Sequence, residues 1–174
     1  MIKIDHSKII ALYCDGGCIR ANPSPYGGTW AWCSLDATGR RVGMACGIVP
    51  APIIVRGREM SVGNNFMELM AAVSALESVP DGWAGTLYTD NELTIGRLTR
   101  SYALNNVTDD LIDRMGRVLR RLGAFRAVLL DGHPSKKHLA ECKGKRGNPT
   151  SEHNKYCDWL CGELADAYML GIGT

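Results

Sequence analysis

Apolar residues recur along this chain with two periods, and each change of period marks a new element. The run Ile9-Ile10-Ala11-Leu12-Tyr13-Cys14 reads as a buried strand, and the Gly- and Pro-rich stretch 15–28 after it reads as a loop. Strands over 29–35 and 41–48 flank the turn Asp36-Ala37-Thr38-Gly39 and predict an antiparallel hairpin. Residues 49–63 read as a connecting loop. From Asn65 the period becomes helical, with Phe66, Leu69, Met70, Val73 and Leu76 on one stripe until Pro80-Asp81-Gly82 ends it. A short strand over 86–89 and a helix near 92–100 come next. Thr108 then caps a helix striped by Leu111, Ile112, Met115, Val118, Leu119 and Leu122. A last strand covers 125–130. The basic, glycine-containing segment 136–150 reads as a long mobile loop. Ser151 caps a final helix whose stripe is Cys157, Leu160, Cys161, Leu164 and Tyr168.

Four carboxylates stand out against this pattern. Asp15 and Asp90 each directly follow an apolar strand run, so both leave the carboxyl end of a strand, the edge where open α/β sheets bind ligands. Glu68 has Ala71, Ala72 and Ala75 as its i+3, i+4 and i+7 neighbours, and Asp158 stands on the flank of the last helix's apolar stripe. A carboxylate in such surroundings needs a partner, because burying an unpaired charge costs several kcal/mol. If the four converge, they form a cation site.

Composition adds less. A chain of 174 residues with 45% hydrophobic content can bury a sizeable core and needs no second domain, so a single domain over 1–174 is expected, with its core at about 9–168. Lys plus Arg total 20 against 18 for Asp plus Glu, and a net charge of +2 neither demands nor excludes a nucleic-acid partner. The opening Met1-Ile2-Lys3-Ile4-Asp5-His6-Ser7-Lys8 has no signal-like apolar core, and no run approaches the roughly 20 apolar residues that span a bilayer. The expectation is a soluble, cytoplasmic monomer without a membrane partner. Seven cysteines, an odd number, lie partly inside strand and helix patterns and read as buried reduced thiols. His138 and Cys142 share an i,i+4 spacing, but no Cys-x-x-Cys pair supports a structural zinc site.

The local wording around each carboxylate is more specific. Tyr13-Cys14-Asp15-Gly16-Gly17-Cys18, the stretch Asn22 to Trp30, Asn64 to Ala72 around Glu68, Tyr88-Thr89-Asp90-Asn91, Gly132-His133, and Asn154-Lys155-Tyr156-Cys157-Asp158 occur in order. Together they resemble the type 1 ribonuclease H family over about residues 9–168. The resemblance implies an α/β RNase H-like fold, a mixed five-stranded sheet flanked by helices on both faces. It implies an endonuclease that hydrolyses the RNA strand of RNA/DNA hybrids, leaving 5′-phosphate and 3′-hydroxyl ends. Asp15, Glu68, Asp90 and Asp158 would hold two Mg²⁺ ions, with Mn²⁺ able to substitute and Asp15 bridging both. Two hard cations about 3.5 to 4 Å apart suit this chemistry by stabilising both the attacking and the leaving oxygen.

His133 matches the family's mobile histidine, with His138 and His153 as rivals because the connection 134–152 is longer than the family's. Asn64, Cys18, Asn22, Asn65 and Glu92 fall at family positions that touch the hybrid's minor groove, where RNA shows its 2′-hydroxyls. Asn22 is offset by one residue, Glu92 replaces a glutamine, and Asn65 serves equally well as a helix cap. The family's basic protrusion after the third carboxylate is missing, since 91–108 holds only Arg97 and Arg100 as basic residues. Lys143, Lys145 and Arg146 are the candidate substitute grip. Two other readings share these features: an RNase H-fold nuclease acting on DNA, as resolvases and transposases do, and a noncatalytic nucleic-acid-binding module.

Overall fold

The computed structural model describes residues 8–171, so of the opening segment read for targeting signals only Lys8 is included. In chain order the elements are β1 (Ala11–Cys18), β2 (Gly27–Leu35), β3 (Arg41–Pro50), β4 (Ile53–Val55), β5 (Arg58–Met60), α1 (Asn64–Glu77), β6 (Thr86–Thr89), α2 (Glu92–Leu98), α3 (Asp109–Arg121), β7 (Arg126–Leu129), α4 (Lys136–Ala140) and α5 (Glu152–Met169). Five strands make one sheet in the order β3-β2-β1-β6-β7. The β1, β2 and β3 pairings are antiparallel, whereas β6 pairs in parallel with both β1 and β7. The expected mixed five-stranded α/β sheet is therefore present.

The pleat divides the core in two. Leu12, Cys14 and Trp32 face α1 within a large cluster that also includes Leu111, Met115 and Val118 of α3. Ala31 and Cys33 face the other way and pack with Cys157 and Cys161 of α5. Helices thus cover both faces, as the apolar stripes require. Cys14, Cys33, Cys157 and Cys161 are buried free thiols, but Cys46 and Cys142 are exposed, so burial accounts for only part of the cysteine set.

Several boundaries differ from those read in the sequence. β1 does not stop at Cys14 but runs through Asp15 to Cys18, because β2 supplies antiparallel partners as far as Cys18 opposite Gly28. Asp15 therefore lies inside a strand. Its position still works as a strand end, because parallel pairing of β1 with β6 reaches only Tyr13 opposite Tyr88. Beyond that point the sheet is notched. The segment 49–63 is not plain loop: β4 and β5 form a two-stranded hairpin whose two turn residues, Arg56 and Gly57, both have positive φ (50° and 76°). Two such residues in succession are what a tight hairpin turn with the right twist demands.

The segment 136–150 is likewise ordered. Ser135 caps α4 in a reciprocal box with His138, Thr150 Oγ1 donates to the carbonyl of His138 at 2.9 Å, and Lys143 bridges to Pro149. Its anchor is Asp131, 5% exposed, whose carboxylate accepts from the Arg146 backbone N–H at 2.6 Å, Arg146 Nε at 2.9 Å and Asn148 Nδ2 at 3.1 Å. Burial alone would raise the Asp131 pKa, but these hydrogen bonds outweigh it and hold the group below its ordinary range. A Cβ on Gly144 would lie 2.2 Å from Asp131 Oδ2, so the chain closes around the carboxylate only with glycine there.

Thr108 and Ser151 cap α3 and α5 as expected, accepting from the N–H groups of Leu111 and His153. α1 instead starts at Asn64 after Gly63, with no side-chain cap. Asn65 is thus not a cap: its Oδ1 accepts from Asn91 Nδ2 at 3.0 Å, tying α1 to the start of α2.

Candidate active site

Three elements bring three carboxylates together at the notch. Alternation along β1 puts Gly16 on the α1 face and Asp15 on the α5 face. A Cβ on Gly16 would lie 2.3 Å from the Met67 carbonyl carbon and 2.6 Å from the Glu68 nitrogen. Glycine here lets the α1 backbone rest directly on β1, which carries Glu68 to the edge beside Asp15. Asp90 arrives from the end of β6. A Cβ on Gly132 would lie 2.3 Å from Asp90 Oδ2, so the residue after Asp131 must also be glycine for Asp90 to keep its place. Oxygen atoms of Asp15, Glu68 and Asp90 all lie within 4.8 Å of one another.

The electrostatics of this trio are unfavourable by themselves. Asp15 is 8% exposed and Glu68 is 4% exposed. Burial raises the Asp15 carboxyl well above the usual carboxylate range, and the charges of Asp90 and Asp158 add to it. Glu68 is raised in the same way, by burial first and then by Asp15 and Asp90. Asp90 is raised by burial, with His133 opposing. Glu68 Oε2 is buried with no hydrogen-bond partner among the described residues. Three hard oxygen donors and an orphaned buried carboxylate oxygen fit a divalent cation, which would neutralise the repulsion and satisfy that oxygen.

The fourth expected carboxylate sits apart. Asp158, on α5, is 47% exposed in its side chain and is not part of the trio, although it lines the same cleft as Asp15, Asp90, His133, Asn154 and Lys155. His133 Nδ1 lies 3.8 Å from Asp158 Oδ2, on a side chain 83% exposed and a backbone with φ of 49°. His138 lines the adjoining part of the cleft, with Nδ1 occupied by the Ser135 N–H. His153 instead packs beside the Tyr13 ring, 5.1 Å between centroids, and burial lowers its pKa.

The expected contact residues cluster at the other end of the cleft. Asn22 Oδ1 accepts from the Asn64 backbone N–H at 3.1 Å and from Cys18 Sγ at 3.6 Å, so these three form one unit. Asn64 lies between two stretches of the cleft, one with Glu68 and Asp90 and the other with Asn22 and Asn65. Glu92 is exposed in the first turn of α2. Lys145 and Arg146 line the cleft near Asp90, but the Arg146 guanidinium is already engaged by Asp131, and Lys143 lies outside that lining.

Residues that the hydrophobic pattern did not single out also matter. Asp131 and Asn91 look like ordinary turn residues in the sequence. Arg97 looks like one basic residue of an exposed helix, yet it is 5% exposed, bonded through Nη1 and Nη2 to the carbonyls of Asn65 and Asn105.

The notched mixed sheet with carboxylates meeting at its opening is the RNase H-like α/β fold. Solved structures agree: RNase H1 from the halophilic archaeon Halobacterium salinarum superposes with a TM-score of 0.61 at 19% identity, covering 91% of this chain and 97% of that one. LC11-RNase H1, solved in complex with an RNA/DNA hybrid, gives a TM-score of 0.61 at 18% identity over 91% of this chain and 98% of that one. No family model matches the sequence.

Curated relatives carry the likeness from fold to sequence. A protein named ribonuclease H from Chlorobium phaeovibrioides is 25% identical over 155 residues, 88% of this chain and 92% of that relative. Ribonucleases H of Methylorubrum extorquens and Hahella chejuensis are 34% and 33% identical over 88 and 85 residues, and those matches span only 32% and 47% of the relatives' lengths. In sequence the chain is similar to proteins named ribonuclease H, and in fold it is similar to RNase H1 structures. Among the described residues, no helix is long and apolar enough to cross a membrane.

Proposed function

We propose that this chain is a metal-dependent endoribonuclease that hydrolyses the RNA strand of RNA/DNA hybrids, with Mg²⁺ as its cation and Mn²⁺ as a substitute. The observation that carries the reading is the convergence of Asp15, Glu68 and Asp90 within 4.8 Å, with Glu68 Oε2 buried and unpartnered. A noncatalytic binding surface has no use for three mutually repelling buried acids. The full ligand set is Asp15, Glu68, Asp90 and Asp158, holding two ions. When bound, the cations supply an activated water and stabilise charge on the leaving oxygen.

The protein's own groups orient and exclude. Asp15 and Glu68 are fixed by the β1–α1 contact, so donor positions are set before any ligand arrives. Asp158 and His133 border the open side of the cleft, where an exposed imidazole can exchange protons with solvent or with a departing product. Asn64 and Asn22, held as one unit with Cys18, present amide groups suited to minor-groove hydroxyls. The relative solved with an RNA/DNA hybrid supports that substrate class.

The test incubates the protein with Mg²⁺ and labelled RNA/DNA, RNA/RNA and DNA/DNA duplexes, beside Asp15→Asn. Cleavage of the hybrid's RNA strand alone, abolished in the variant, is expected. Equal cutting of DNA/DNA, or an active Asp15→Asn, would overturn the reading.

A further inference from the structure

The carboxylate cleft is one end of a longer trough. It shares Asp90 and His133 with a neighbouring depression lined by Asn64 and Lys145. That depression shares Asn64 with a third, lined by Asn22, Asn65 and Arg97, which in turn shares Met60 and Asn106 with a fourth. The last is lined by Arg56, Arg58 and Asn105 and lies against the β4–β5 hairpin. A chain of adjoining depressions therefore links the carboxylates to that hairpin.

The hairpin's register sorts its charges. Val55 pairs with Arg58 and Ile53 with Met60, and cross-strand partners share a face. Ile53 and Val55 are buried, so Arg58 and Met60 belong to the body-facing side. Ile54, 52% exposed, and its partner Glu59 belong to the opposite side. The one acid on the hairpin, Glu59, is thus on the face opposite Arg58, while Arg56 lies in the turn between the strands. Among the described residues neither Arg56 nor Arg58 has an ion-pair partner. Midway along the trough, Arg97 is buried, bonded to carbonyls and to no carboxylate, and its Nε is unpartnered. Its positive charge is uncompensated where the trough passes over it.

We propose that the β4–β5 hairpin, through Arg56 and Arg58, grips the phosphodiester backbone of the bound duplex at the far end of this trough. The inference rests on the hybrid-nuclease reading and adds a contact site to it. The hairpin would then do the work of the missing basic segment between 91 and 108, a task for which Arg146 is poorly placed because Asp131 holds its guanidinium. Guanidinium groups without acid partners gain most from a phosphate, and each contact steepens the salt dependence of binding.

The experiment measures binding of a fluorescent RNA/DNA hybrid to Asp90→Asn protein, with and without the added pair Arg56→Ala and Arg58→Ala, across a salt series. Cleavage by wild type is followed in parallel. The control pair is Arg117→Ala and Arg120→Ala on the exposed face of α3, which removes equal charge elsewhere. Losing two phosphate contacts should shallow the slope of log affinity against log salt by about 1.8, so affinity falls about twelvefold less steeply between about 50 and about 200 mM salt. Weaker, less salt-sensitive binding by the hairpin variant alone, at unchanged melting temperature, supports the proposal. Unchanged binding overturns it, and so does equal weakening by both pairs. If wild type cleaves hybrid in those cases, the nuclease reading stands without the hairpin. If wild type cleaves none, the nuclease reading itself fails.

Discussion

The two sides of the cleft are built differently. On the side of Asp15, Glu68 and Asp90, the α1 backbone rests on β1 so closely that Gly16 admits no side chain, and the Asp90 carboxylate fills the space that a side chain at Gly132 would need. Asp158 and His133 face them from an exposed helix flank and a turn, 3.8 Å apart, with no such constraint. The first group behaves as a rigid cation seat that exists before binding, and the second as an adjustable rim. Repulsion is tolerable on the rigid side only because the core holds it in place, whereas the rim relieves its charge in solvent.

This contrast predicts unequal losses. Asp90→Asn should lower cleavage of hybrid at least about a thousandfold, equivalent to about 4 kcal/mol of transition-state stabilisation. Asp158→Asn should cost less, about tenfold to a hundredfold, because this ligand is exposed and water can take the place of its lost oxygen. Single-turnover rates at saturating Mg²⁺ compare the two directly, and equal losses would break the distinction.

A smaller effect probes the stored repulsion. Because burial and neighbouring charge raise Asp15 and Glu68, the folded protein holds their protons to higher pH than the unfolded chain does. The contribution of these two groups to metal-free stability should therefore be fully present below the ordinary carboxylate range and be lost as pH rises through their raised folded values. Glu68→Gln removes one of these charges. It should raise the metal-free melting temperature at pH 7 by a few degrees, equivalent to about 1 kcal/mol, and flatten the pH dependence. Thermal denaturation in chelator, followed from pH 4 to pH 8, checks the sign; a lower melting temperature in the variant would show that the carboxylate is not strained.

The smallest effect concerns the rim's support. Asp131→Ala deletes the acceptor for Arg146 and Asn148, and should speed tryptic cleavage after Lys143, Lys145 or Arg146 severalfold with little change in overall melting temperature. Mass spectrometry of the early fragments locates the cuts. An unchanged digestion rate would mean that α4 and the Lys143–Pro149 bridge order the segment unaided.

The rigid side was legible in the sequence because apolar periodicity is strong there. Strand runs ending near Asp15 and Asp90, and small residues around Glu68, are direct signs of burial. The extension of β1 to Cys18 was not, because glycines at 16 and 17 read as turn residues and the pairing that keeps them extended comes from β2. Segment 136–150 misled for a similar reason. Its polarity reads as solvation, while its order comes from Asp131, outside the segment, and from a cap within it. The β4–β5 hairpin escaped notice because three-residue strands next to Pro52 are too short for any period to register. Local composition reports which side chains avoid water; it does not report a hydrogen bond to a residue fifteen positions away.

The contact at Gly16 has a thermodynamic corollary. Since the same approach of helix to strand both closes the core and sets the gap between Asp15 and Glu68, occupancy of the cation seat and integrity of the sheet are one linked equilibrium. Each divalent ion that prefers the folded seat should act as a clamp on β1 and α1, slowing amide exchange there more than along β3. A change that loosens this packing should weaken the ion's hold by the difference between what it costs the occupied seat and what it costs the empty one.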